Sequence, residues 1–178
     1  MNLALIGYRG TGKSHVARLL AGQLKWPLVD ADIHVEKQAG KSIADIFAEV
    51  GEPGFRDLES QALIELTQGS HYVLSLGGGV ILREENRQRI ADCCFTVWLT
   101  ASPEEIARRL SGDASTQARR PSLTGKSTLE EIEEVLARRI PLYRQSANLT
   151  VDTEGKSPQE VTQTILDQLP SSLVKKEQ

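Results

Sequence analysis

Eight residues, Gly7-Tyr8-Arg9-Gly10-Thr11-Gly12-Lys13-Ser14, constrain what this chain can fold into more than any others. They satisfy the pattern G-x-x-x-x-G-K-[ST] and sit between two informative segments. Before them, Leu3 to Ile6 is an unbroken apolar run that reads as a buried strand. After them, Lys13 to Leu24 carries Val16, Leu19, Leu20 and Leu24 at helical spacing. Strand, glycine-rich turn and helix together form the setting in which this pattern cradles phosphate. The glycines let the backbone approach closely, and successive N–H groups from Gly10 and Thr11 through Gly12 to His15 meet negative charge at a helix N-terminus. Lys13 is placed to reach the β- and γ-phosphates, and the Ser14 hydroxyl can ligate Mg²⁺. Nucleotide binding follows from this; the second substrate does not.

The rest of the chain continues the alternation. Pro27–Asp30, Tyr72–Leu76, Phe95–Leu99 and Asn148–Val151 read as further strands. Helical patterns cover Ile33–Ala39, Ser42–Val50, Phe55–Thr67, Arg83–Ala91, the stretch opened by Ser102-Pro103-Glu104-Glu105, Thr128–Tyr143, and the stretch from Ser157 through Leu169. Strands alternating with helices at this spacing predict an α/β fold with a mainly parallel sheet, its ligands beyond the carboxyl ends of the strands. Residues 1–170 read as a single domain and 171–178 as a flexible C-terminal tail. The polar stretch 111–125 is the one long loop, and long loops in compact domains are often lids.

Composition narrows the partners. The 178 residues hold 21 Lys+Arg against 24 Asp+Glu, a formal charge of −3, and aromatics are 4%. Neither figure suits a nucleic-acid binder, which needs a basic face or stacking platforms. Cys93 and Cys94 lie in an apolar stretch and read as small buried hydrophobes; no further Cys or His stands at zinc-site spacing. No stretch approaches the roughly 20 apolar residues of a membrane span, and the N-terminus lacks a basic, apolar leader. The expected location is the cytoplasm.

Several other groups bear on chemistry. Asp30-Ala31-Asp32 follows a strand near the phosphate loop. Two readings are open: a magnesium contact with a hydroxyl acceptor, or a solvated turn with Asp32 capping a helix. Arg56 and Glu59, three apart on a helix, form either an ordinary surface ion pair or an arginine held to face an anion. Gly77-Gly78-Gly79 at a strand end is either a flexible turn or a place where backbone approaches a ligand. Seven of the 13 arginines fall between Arg108 and Arg144, a gathering that suits an anion near the lid.

In this order, GxxxxGKS, D-x-D, F-R-x-x-E, G-G-G, R-P and R-x-P-L-Y, the motifs resemble those of the shikimate kinases over nearly the whole chain. The resemblance implies a P-loop NTPase fold with a five-stranded parallel sheet flanked by helices, and a lid loop. It implies transfer of a phosphoryl group from MgATP to the 3-hydroxyl of shikimate, a step of aromatic amino-acid biosynthesis, by a monomer. Carried onto this sequence, Lys13 holds the phosphates, and Ser14 with Asp30, through water, holds the magnesium. Asp32 binds the attacking hydroxyl. Arg56, Arg139 and the Gly78–Gly79 backbone bind shikimate, and Glu59 orients Arg56. Phe47 and Phe55 wall that pocket, and Arg120 closes over the transferring phosphate. Arg109 lies over adenine, with Lys156 nearby where some members carry arginine. Ser122 replaces a common apolar residue after Arg120-Pro121, and the loop from Ser111 to Ala118 is longer than in compact members. Two other readings stand beside this one: a kinase of gluconate or a similar polyol acid, and a nucleotide-binding regulatory module.

Overall fold

A computed structural model describes residues 1–112 and 128–174. Five parallel strands form one sheet in the order β2-β3-β1-β4-β5: β1 Asn2–Ile6, β2 Leu28–Asp30, β3 Val73–Ser75, β4 Cys94–Thr100 and β5 Leu149–Asp152. The central strand shows why the sheet is covered on both sides. Strand periodicity sends Leu3 and Leu5 to one face and Ala4 and Ile6 to the other, and all four are fully buried.

On the first face, Leu3 and Leu5 pack with Val16 and Leu20 of α1 (Lys13–Leu24) and with Val161 and Ile165 of α7 (Pro158–Gln168). On the second, Ala4 and Ile6 meet Leu63 of α3 (Ile43–Leu66), Ile90 of α4 (Glu84–Cys93) and Tyr143 of α6 (Thr128–Ser146). A smaller cluster joins α6 to α5 (Pro103–Ser111) through Ile106, Leu110, Ile132 and Leu136. Another joins α3 to α2 (Ala31–Ala39) through Val35, Ile43, Ile46 and Phe55.

Three details differ from the sequence reading. Helix α2 begins at Ala31 rather than Ile33, and its N-cap is Asp30, not Asp32. The Asp30 carboxylate accepts from the N–H groups of Asp32 (3.0 Å) and Ile33 (3.3 Å), so it satisfies two otherwise orphaned donors. The helical stretches around residues 42–50 and 55–67 form one element, α3, broken at Gly51 (φ 68°, ψ −176°), a left-handed φ that glycine adopts without steric cost. Ser171–Val174, at the start of the expected tail, form a short helix, α8, and Leu173 packs into the first core face. Both cysteines are free thiols; Cys94 is buried, and burial pushes its pKa up to about 12. Among the described residues no helix is long and apolar enough to cross a membrane.

Candidate active site

The site is assembled along the carboxyl edge of the sheet, where β1, β2 and β3 end in the phosphate loop, Asp30 and the triple glycine. The loop is tight because its glycines allow it. Gly7, Gly10 and Gly12 all have positive φ, and a Cβ on Gly7 would stand 2.5 Å from the carbonyl oxygen of Leu99. The loop also bonds to itself. Thr11 Oγ1 donates to the Tyr8 carbonyl (2.7 Å), and Lys13 Nζ donates to the carbonyls of Gly7 and Tyr8 (2.9 Å each). Helix α1 starts at an αL Gly12 with no side-chain cap, so no side chain competes with an anion at its first turn.

A cavity of about 500 Å³ opens beside this turn, lined in part by Lys13, Ser14, Asp30, Asp32, Gly78 and Arg109. Gly10, Gly12 and His15 also border it. The two aspartates thus face one space, although Asp30 ends a strand and Asp32 sits in a helix turn. Burial raises the pKa of Asp30, and the neighbouring Asp32 charge adds to that; the two N–H groups it caps and a bond from Ser75 pull the other way. A second cavity, of about 390 Å³, adjoins along Gly12, His15 and Arg109 and is completed by Thr11, Thr153 and Lys156.

Arg109 ties the two together. It donates to Glu105 (2.7 Å), to Thr153 Oγ1 (3.0 Å) and carbonyl (2.9 Å), and to the Gly10 carbonyl (3.3 Å). The guanidinium edge therefore braces the phosphate loop against the segment after β5. Lys156 Nζ donates to the Asp152 carbonyl (2.9 Å) at the mouth of the same cavity.

The triple glycine carries the two other arginines. On Gly78, the carbonyl accepts from the Tyr143 hydroxyl (2.5 Å) and from Arg139 Nη1 (3.2 Å). Tyr143 is fully buried and stacked on Trp98, and burial pushes its pKa up to about 12 against the pull of Arg139. A Cβ on Gly78 would lie 3.1 Å from the Gly7 carbonyl, so this loop touches the phosphate loop. On Gly79, a Cβ would fall 2.3–2.4 Å from three atoms of the Arg56 guanidinium. Arg56 donates to Glu59 (2.6 Å) and Glu52 (3.0 Å) and lies over the Phe55 ring (5.2 Å), which in turn packs on Phe47 (4.7 Å). Burial opposes its charge, but the two glutamates outweigh that and raise its pKa.

A phosphate turn, paired aspartates and two arginines on one glycine loop are thus continuous in space. The shikimate kinase family profile matches residues 9–170. The chain belongs to the shikimate kinase family. A shikimate kinase from Rhodopirellula baltica is 49% identical over 172 residues, covering 97% of this chain and 92% of that one. A solved shikimate kinase from Acinetobacter baumannii in complex with shikimate superposes with a TM-score of 0.89 at 33% identity, over 98% of this chain and 95% of that one. A gluconokinase from Sinorhizobium meliloti, with a TM-score of 0.53 at 14% identity, shares the fold alone. The shikimate kinase assignment therefore displaces the polyol-acid and regulatory readings.

Most residues expected from the sequence meet in this one place. Arg120, with Pro121, Ser122 and nearly all of the expected lid at 111–125, lies outside the described residues. Thr11 is 1% exposed, and its hydroxyl is turned into the loop, where it shapes the cradle. Three contributors were given no role from sequence: Tyr143, although it closes the R-x-P-L-Y motif, Glu52 and Thr153. A tyrosine on the apolar stripe of α6, where its hydroxyl needs a buried partner, was the available signal for the first. Nothing local marks the others.

Proposed function

We propose that this chain transfers the γ-phosphoryl group of ATP, bound with magnesium, to the 3-hydroxyl of shikimate, giving shikimate 3-phosphate and ADP. The observation that carries this reading is the Gly78–Gly79 turn, which holds Arg139 and Arg56 beside a phosphate loop. Two planar forks suit a carboxylate because each can bond it bidentately. Shikimate offers one carboxylate for those forks and hydroxyls for the aspartates.

The residues present fit a magnesium ion. The Ser14 hydroxyl and the Asp30 carboxylate are hard oxygen donors on one cavity. Among the described residues no three or more His, Cys, Asp or Glu gather into a metal cage. One or two protein oxygens plus nucleotide phosphates is how Mg²⁺ is usually held. Asp30 is already engaged as a helix cap, so its part is through water. When bound, the ion neutralises charge on the β- and γ-phosphates.

The protein's own groups do the rest. Lys13 leaves the loop carbonyls for the phosphates, and the N–H groups from Gly12 to His15 cradle them. Arg109 braces Gly10 and lies by the adenine, with Lys156 at the edge of that cavity. Arg56, oriented by Glu59, and Arg139 fix the carboxylate, which sets the 3-hydroxyl toward Asp32. The hydroxyl oxygen bonds to the γ-phosphorus while the bond to the β–γ bridging oxygen breaks; the hydroxyl proton passes to the Asp32 carboxylate. Arg120 adds positive charge over the transferring group, a role worth roughly 10³–10⁵ in rate for arginines so placed. The enzyme works as a cytoplasmic monomer of one domain.

A coupled assay of ADP release with Mg²⁺, adding shikimate, gluconate or neither, tests this. Release that depends on shikimate is expected. Release with gluconate alone, or equal release with neither acceptor, overturns it.

A further inference from the structure

Arg56 is held by two carboxylates of different character. Its Nη1 donates to Glu59, whose side chain is 3% exposed; its Nη2 donates to Glu52, whose side chain is 46% exposed. Glu59 is locked in the interior. Glu52 follows the left-handed break at Gly51, with Pro53 next in the chain, so it stands at the joint of α3 and not inside a regular turn. Gly79 is flat against the guanidinium and leaves no room there even for a methyl group. The Nε is buried with no hydrogen-bond partner among the described residues. Nη2 is therefore the donor that faces outward, and a protein carboxylate is already on it.

Two glutamates on one guanidinium leave a formal charge of −1. A substrate carboxylate arriving at Arg56 with Glu52 still bound would make three carboxylates on one arginine, with Arg139 the next cation. Exchange of one carboxylate for another avoids that repulsion and keeps the Nη2 bond made throughout. Resting on the reading that Arg56 binds the shikimate carboxylate, we propose that Glu52 is a built-in competitor: it occupies the substrate carboxylate's place on Arg56 and is displaced when shikimate binds. It keeps Arg56 desolvated, paired and correctly aimed in the empty enzyme.

Glu52→Gln is nearly isosteric at a half-exposed position, so the fold should persist, and the melting temperature checks this. Shikimate affinity is measured by calorimetry without nucleotide and as KM with ATP, for the native chain, Glu52→Gln and Arg56→Lys, with shikimate methyl ester as the neutral probe. Loss of the competitor should tighten shikimate binding by about two- to five-fold, the worth of a part-exposed charge pair. The ester should gain nothing. Unchanged or weaker shikimate binding in Glu52→Gln, with Arg56→Lys strongly impaired, would show that Glu52 only supports Arg56 and would overturn the proposal. An Arg56→Lys variant that binds shikimate normally would instead refute the carboxylate reading on which it rests.

Discussion

Gly79→Ala isolates the substrate arginine from everything else. Gly79 has φ −102° and ψ −1°, a conformation open to any L-residue, so alanine brings no backbone strain. Its methyl carbon, however, would stand 2.3 Å from Nη1, 2.4 Å from Cζ and 2.4 Å from Nη2 of Arg56. An ordinary contact is about 3.5 Å, so the guanidinium must retreat by about 1 Å. Retreat is costly because Nη1 is held at 2.6 Å by a Glu59 that is itself buried. A displacement of that size in a binding group can cost about 100-fold, and loss of charge-assisted bonds to a carboxylate accounts for roughly 1.5–3 kcal/mol. The expected result is a shikimate KM raised by about 10- to 100-fold. The KM for ATP should change little, since the nucleotide cavities are lined by other residues. Some loss of stability should follow from strain in the buried Arg56–Glu59 pair. Steady-state kinetics in each substrate, with a thermal melt, measure all three. A Gly79→Ala enzyme whose shikimate KM stays within two-fold of the native value would refute the reasoning, because the displaced group would then have no part in binding.

Three further substitutions separate the remaining roles. Arg139→Lys should raise the shikimate KM by about tenfold or more, because an ammonium cannot serve the Gly78 carbonyl and a carboxylate as a planar fork does; an unchanged KM would remove Arg139 from the pocket. Asp32→Asn should act mainly on kcat, with a fall of about 100-fold if proton acceptance matters as general-base groups usually do; full turnover would end the acceptor role. Arg109→Met deletes the ties to Gly10 and Thr153 and should raise the KM for ATP by about tenfold, equivalent to one charge-assisted hydrogen bond or so. An ATP KM unaffected in Arg109→Met would mean that the phosphate loop holds its shape without the brace.

What could be read from the sequence divides along a physical line. The phosphate turn was legible because each residue type in it has a job few others can do. Positive φ demands glycine at 7, 10 and 12, and the cation must sit one residue past the last of them. The five strands were legible because parallel strands buried on both faces are short apolar runs, and Leu3–Ile6 is such a run. Their lateral order is not encoded in any one run; only the folded chain shows it. The aspartates were half legible. Proximity in sequence put Asp30 and Asp32 near the loop, but which of them caps α2 depends on where the strand stops, and element ends are the least determined feature of a sequence.

The least legible features are the ones that join distant parts of the chain. Tyr143 reaches Gly78 across 65 positions, Arg109 reaches Gly10 across 99, and Arg9 meets the buried Glu131 across 122. Each of these contacts holds a catalytic loop by its backbone or its flank, and even where one end lies in a motif, as Tyr143 does in R-x-P-L-Y, the motif does not name the partner. Such a contact leaves no local signature, because its requirement is a donor at one point in space, and many sequences could supply one. Glu52 shows the consequence most sharply. Locally it is one more acid on a helix rich in acids. Only the folded chain places it on the outward edge of Arg56, opposite a glycine that admits no side chain. Motifs thus name the groups that touch substrate. The geometry adds what those groups must let go of before they can do so.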